Sequence, residues 1–345
     1  MTVLRVLVIA GGLGYIAYTV EWTDDPATGR EGMGTLIRSA DLGWLLGGLA
    51  VAGLIFPLQG VRWYLLLRCR GLNVSFASVM RLTMIGVFFN FCVPVGSTGG
   101  DLVRAYGAAK SLTTPGSKAK AIISVVLDRA AGLLGLIVLA AVMAPLLGGD
   151  PVGRKITAIS WVAMAAVAIG GAVYLHPLSR RWLGLDLLTR FAPIQKLDQA
   201  VTGYKHHPWV LVSTILLSVP GHLALSAATG MAGYAIGVST SMLMLLTTLP
   251  IVFIVGSLPL SFMGLGVMEP TAIALLTGDG AGATENQVIA MLMAWRAFLL
   301  AYAVIGGALV IGRGMNLTER LDPDADLLAT PTDELARSAD EQAAT

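Results

Sequence analysis

Phe91-Cys92-Val93-Pro94-Val95-Gly96-Ser97-Thr98-Gly99-Gly100-Asp101 and Ser257-Leu258-Pro259-Leu260-Ser261-Phe262-Met263-Gly264-Leu265-Gly266-Val267-Met268-Glu269 read as one device written twice. Each is an apolar segment broken by Pro and Gly that ends in an acid. Each precedes a long apolar stretch with an arginine in its middle: Ala119–Leu147 contains Asp128-Arg129, and Asn286–Gly312 contains Arg296. Pro94 to Pro259 is a shift of 165 residues, Asp101 to Glu269 is 168 and Arg129 to Arg296 is 167. A near-constant shift over three landmarks points to one unit used twice, with repeat halves at roughly 79–147 and 242–312. Charge at membrane depth is costly, so an arginine kept at both equivalent places implies a task.

Composition supplies the setting. The 345 residues are 55% hydrophobic and 13% charged, with a mean hydropathy of +0.75. That is an integral membrane protein, too apolar for a sizeable soluble domain. Cys69 and Cys92 lie in or beside apolar stretches, so they read as packing residues and imply no disulfide framework. Six stretches are about long enough to cross a hydrocarbon core of roughly 30 Å, near 3–20, 42–59, 119–147, 155–175, 209–236 and 286–312. The first starts like a signal peptide but ends in Tyr18-Thr19-Val20-Glu21 without a clear cleavage site, and is expected to be an uncleaved anchor.

Residues 80–110 and 242–277 do not read as simple spans. Both run apolar to a proline, break at glycines and resume as a second helix. Broken backbone at membrane depth is tolerated only where protein or a wet cavity satisfies it. Both are therefore expected to be re-entrant hairpins, with kinked spans as the plainer alternative. The fold expected is all-α integral membrane: about six transmembrane helices plus two re-entrant hairpins in an inverted repeat, over residues 1–314. Residues 315–345 are rich in Asp, Glu and Ala and are expected to be a disordered cytoplasmic tail.

Charge tests that topology. With a cytoplasmic N-terminus and six crossings, seventeen Lys and Arg fall inside. Four fall outside: Arg30, Arg38, Arg154 and Lys155. The bias sets the orientation, with both termini cytoplasmic and the protein in the cytoplasmic (inner) membrane. Three crossings separate the hairpins, so the second enters from the opposite face. Inverted repeats of this kind place substrate sites near the midplane, at the repeat interface. Arg129 and Arg296 each lie about ten residues into a helix, or about 15 Å deep, from opposite ends.

Several motifs resemble the lysylphosphatidylglycerol synthase transmembrane region, also described as a flippase-like membrane family. Its best-known members are the membrane halves of bacterial multiple-peptide-resistance factors. The resemblance covers roughly residues 40–315. It rests on Arg62-Trp63, Phe88-Phe89-Asn90, Gly99-Gly100-Asp101-Leu102-Val103-Arg104-Ala105-Tyr106, Ser124-Val125-Val126-Leu127-Asp128-Arg129, Gly264-Leu265-Gly266-Val267-Met268-Glu269 and Trp295-Arg296. The Gly-Gly-Asp-x-x-Arg block is the specific one; Gly-Leu-Gly-Val alone is weak. The chain departs from the family in having Asp128 where Glu is usual, and Met268-Glu269-Pro270 where Arg-Glu-Gly is usual. The resemblance implies handling of phospholipid or polyprenyl-linked lipid across the bilayer, without catalysis and without a cofactor. The resistance factors add a second membrane section and a soluble aminoacyl-transferase domain. Nothing in these 345 residues resembles that soluble domain, so this chain is not expected to make aminoacylated lipid by itself.

The residues support an anion site independently. A phosphate calls for permanently charged donors in fork geometry, which Arg supplies. Gly99 and Gly100, like Gly264 and Gly266, let backbone N–H groups approach an anion, and a helix starting there adds its positive end. Asp101 is expected as the N-cap of that helix. Asp101, Asp128 and Glu269 can pair with arginines in the empty state and release them to substrate. The structural alternative is that Arg129, Arg296 and these acids only hold the halves together. On the same view Arg62 and Arg104 are only positive-inside anchors, and Asn90 only satisfies broken backbone.

Three classes of function follow: a flippase-like lipid transporter, a non-transporting accessory subunit of a cell-envelope glycosyltransferase or lipid-modifying enzyme, and an intramembrane glycosyl or acyl transferase. The last needs a general base or metal cluster at depth, and the sequence offers scattered carboxylates instead. His176, His206 and His207 sit in a loop beside prolines without metal-ligand company, and His222 reads as a packed histidine. Membrane lipids are the expected partners, and nucleic acid is not. Lys196, Lys205 and Arg180-Arg181 read as contacts to anionic headgroups.

Overall fold

The computed structural model describes residues 14, 20–24, 31–92, 99–110, 112, 117–148, 151–175, 203–204, 207–258, 262–277 and 282–312. Among them every regular element is helical. In chain order these are α1 (Met33–Ser39), α2 (Leu42–Ala52), α3 (Ile55–Cys69), α4 (Phe76–Cys92), α5 (Gly99–Lys110), α6 (Ser117–Met143) with a 3-10 turn (Ala144–Leu147), α7 (Pro151–Leu175), α8 (Pro208–Ala235), α9 (Met242–Ser257), a short 3-10 turn (Phe262–Gly264), α10 (Met268–Leu276) and α11 (Glu285–Ile311).

Local chemistry marks the helix starts. Asp41 and Ser241 accept from the backbone N–H groups of Trp44 and Met244. Thr284 and Gln287 form a reciprocal capping box at the head of α11. Four stretches are long and apolar enough to cross a bilayer: Leu42–Cys69, Ser117–Leu147, Pro208–Ala235 and Glu285–Ile311. They match four of the expected spans, with one correction. The span expected to end at 59 runs on through α3 to Cys69, with only the turn at Gly53-Leu54 interrupting it. Arg62 therefore lies within an apolar stretch instead of after it. The expected span at 155–175 appears as the 25-residue α7. The expected span 3–20, the 176–202 loop and the 315–345 tail lie outside the described residues, apart from Gly14 and Val20.

The protein is a multi-pass membrane protein. Leu42, Leu46, Ile169, Leu216, Val304 and Ile311 are among its exposed large apolar side chains, a surface suited to lipid and not to water. α8 is the central helix, packed against α2, α3, α6, α9 and α11. Small residues permit the close crossings: a Cβ added at Gly306 would lie 2.1 Å from the Met84 carbonyl oxygen, and one at Gly48 3.0 Å from that of Ala228.

The order helix, break, short helix, long helix occurs twice, as α4–α5–α6 and as α9–α10–α11. Each long helix packs against the first arm of the other set, α11 on α4 and α6 on α9. Each set has its own apolar core. Trp63, Leu67, Val79, Leu82, Ala108 and Val125 gather around the first. Leu249, Val252, Met268, Ala272, Ile289 and Trp295 gather around the second.

Candidate functional site

The twelve residues singled out from the sequence fall into two groups, one in each set of helices. The first is built around Asp128, which is 1% exposed in the middle of α6. Its Oδ1 accepts from Arg62 Nε of α3 at 2.6 Å and its Oδ2 from an Arg104 terminal nitrogen of α5 at 2.9 Å. Arg62 also donates to Ser218 Oγ of α8 at 2.7 Å, and Ser218 in turn donates to the Thr214 carbonyl. Arg104 lies over the Trp63 ring, 4.3 Å from its centroid, and the Trp63 indole N–H donates to Ser124 Oγ at 3.0 Å. Three helices, α3, α5 and α6, are thus tied at one buried carboxylate.

Asp101 links this core to Arg129. It accepts from Arg104 at 3.3 Å, one turn along α5, and from Arg129 at 2.5 Å. Arg129 then crosses to the second set and donates to the Ser257 carbonyl at the end of α9, at 3.1 Å. Arg129 and Asp101 are the open members, with side chains 28% and 24% exposed, against 2% for Asp128. Among the described residues the group holds three guanidiniums against two carboxylates.

The break in front of it is bridged by a side chain. Asn90 Oδ1 accepts from the Gly100 N–H at 2.9 Å, joining the two arms across the break. Gly100 must be glycine, because a Cβ there would lie 2.1 Å from the Gly86 carbonyl oxygen of α4. Gly99 and Gly100 are buried at the first turn of α5. Asp101 is therefore the third residue of the helix and not its N-cap. It still sits where a carboxylate favours the positive helix end, but it spends its oxygens on arginines. Pro94, Gly96 and Ser97 lie outside the described residues.

The second group is smaller and dry. Arg296 of α11 meets Glu269 of α10 at 2.7 Å, and Glu269 is 0% exposed. The other Glu269 oxygen accepts from the Gly266 N–H at 2.8 Å. Arg296 reaches the Met263 carbonyl and its own Leu292 carbonyl, both at 3.4 Å. Met263 (φ 51°), Gly264 (φ 73°) and Gly266 (φ 80°) turn the chain through the left-handed region, which glycine adopts without strain. Met268 puts its sulfur 4.0 Å from the guanidinium.

Arg62 and Arg104 are thus not exposed cytoplasmic anchors. They are 7% and 3% exposed and share one acid. Sequence reasoning did not find Ser218 or the Ser257 and Met263 carbonyls. A serine in an apolar span has no distinguishing signal, and a backbone carbonyl has none at all. Among the described residues no cluster of His, Cys, Asp and Glu could hold a metal.

The sequence profile of the lysylphosphatidylglycerol synthase TM region matches residues 3–307, nearly the whole chain. The chain belongs to that family. It is also similar to the UPF0104 membrane protein PH1989 of Pyrococcus horikoshii, with 29% identity over 103 residues. That match spans 30% of this chain and 30% of the relative's length. As a member of this family the chain carries Asp101 and Arg104 on one short helix and Asp128 and Arg129 on the next.

Proposed function

We propose that this protein is flippase-like, binding the phosphate of a phospholipid or polyprenyl-linked lipid at Arg129 and moving it across the membrane. The observation that carries the reading is the position of Arg129. Its side chain is 28% exposed, belongs to a group that among the described residues holds three arginines and two acids, and reaches from the first set of helices to the last turn of α9 in the second. A lipid phosphate can compete for it against Asp101, while Arg62, Asp128 and Arg104 keep the frame in place. Arg296 and Glu269 hold the second turn shut, and Gly99, Gly100, Gly264 and Gly266 give backbone access.

Two further features belong to this reading. First, α4, α5, α9 and α10 are hairpin arms that enter and leave by one face. At 1.5 Å per residue their 17, 12, 16 and 9 residues reach about 26, 18, 24 and 14 Å, each short of a core of about 30 Å. Second, the hairpins are inverted, because three membrane-crossing helices, α6, α7 and α8, separate them. Removing the buried Arg62 and Arg104 from the count of cytoplasmic charges leaves fifteen against four, so the bias that puts both termini in the cytoplasm survives.

Reconstitution into liposomes with a panel of labelled lipids tests the reading. Arg129→Ala is expected to abolish lipid translocation in correctly folded protein. Wild-type protein that moves no lipid in the panel would instead favour the accessory-subunit alternative.

A further inference from the structure

α7 packs on α6 and on the 3-10 turn that follows it, but only lightly on α9. The gap it leaves is a cavity of about 430 Å³, walled by Ile137 of α6, Ile159 and Ala163 of α7, Ile254 of α9 and Ala274 of α10. That volume is in the range of built ligand sites. The cavity opens sideways, because Ile159 is 66% exposed on its rim. Lys155 is the basic side chain that lines it, four residues after Pro151 at the head of α7. From Lys155 to Ala163 is eight residues, or about 12 Å along the helix, and the side chains of that stretch that line the cavity are apolar apart from Lys155 and Ser160.

An apolar slot open to the bilayer, with one ammonium at the end nearest the chain turn, has the pattern of a phospholipid: an acyl chain along Ile159, Ala163 and Ile254, and a phosphate at Lys155. We propose that this groove retains one anionic glycerophospholipid of the surrounding membrane, seated separately from the arginines of the candidate transport site. The proposal rests on the membrane placement of the protein and not on the transport reading. Arg154 supplies an internal control. It carries the same charge one residue earlier on α7, is exposed, and does not line the groove.

The test is native mass spectrometry of the full chain, equilibrated with vesicles of phosphatidylglycerol and phosphatidylcholine in equal amounts. Wild-type protein is expected to retain phosphatidylglycerol over phosphatidylcholine by about fivefold, the preference one basic residue at a membrane surface supplies. Lys155→Gln is expected to bring the ratio near one while Arg154→Gln leaves it unchanged. Ala163→Trp is expected to remove the retained lipid of both kinds. Ala274→Phe, from the opposite wall, repeats that measurement should the first variant fail to fold. Equal retention of the two lipids by wild type, equal effects of the two charge variants, or full retention in a folded groove-filling variant would each overturn the proposal. Retained lipid in a protein that translocates none would count against the transport reading alone.

Discussion

In the first set of helices Arg129 is a quarter exposed and shares Asp101 with Arg104; in the second, Arg296 is buried against a fully enclosed Glu269. The two arginines stand 167 residues apart at matching places, yet their surroundings have diverged. By the same spacing Trp295 stands where the first set has Asp128, and a shift of 168 puts Ala272 where it has Arg104. One set surrounds its arginine with a charged lattice that includes Asp128, Arg62 and Arg104. The other surrounds it with Trp295, Phe253 and Met268, and Trp295 stacks on Phe253 with centroids 5.3 Å apart. The same order of helices thus holds one polar, partly open group and one enclosed ion pair. The difference lies in what packs beside the arginine.

The strongest test of that contrast is at Asp128. Asp128→Ala leaves Arg62 and Arg104 buried together without their shared counter-charge, and a broken buried ion pair costs about 3–5 kcal/mol. Loss of the monodisperse folded species in detergent is expected. An unchanged melting temperature would mean that the lattice does not hold the first set together.

Arg296→Ala comes next. It strands Glu269 in an apolar pocket, at a cost of about 3 kcal/mol. Adding Glu269→Gln should recover part of the loss, because an amide can stay buried more cheaply than a carboxylate. Thermal unfolding of the single and double variants measures the recovery, and no recovery would show that this ion pair works through packing alone.

Arg129 is expected to separate function from stability. Arg129→Lys keeps a charge for Asp101 but loses the fork, so its melting temperature should stay near wild type while translocation per folded molecule falls almost as far as in Arg129→Ala. Full translocation in the lysine variant would reduce Arg129 to a structural role and erase the functional half of the comparison.

The smallest effect is expected at Asn90. Asn90→Ala removes one acceptor from a buried Gly100 N–H, a loss of about 1–3 kcal/mol, and should soften the first break without touching the second. Hydrogen exchange at the start of α5 and of α10 reads both at once.

The sequence by itself determined a good deal. Hydropathy set the membrane class, because a bilayer admits long apolar helices and little else. The Pro and Gly breaks located both short-helix units, and the repeated spacing of acid and arginine singled out the charges at membrane depth. Asp101, Asp128, Glu269 and the arginines were legible as charges in need of partners; that Asp101 meets Arg129 and Glu269 meets Arg296 came from the structure. Only the tertiary structure decided that Arg62 and Arg104 share Asp128, that Ser218 completes Arg62, and that Arg129 ends on the Ser257 carbonyl. Those contacts join α3, α5, α6, α8 and α9 across as many as 156 residues of sequence. Composition and periodicity report what a residue needs, burial or a partner. Which partner it meets is set by how the helices cross, and that is fixed by packing at places such as Gly48 and Gly306, whose neighbours in the chain carry none of these charges.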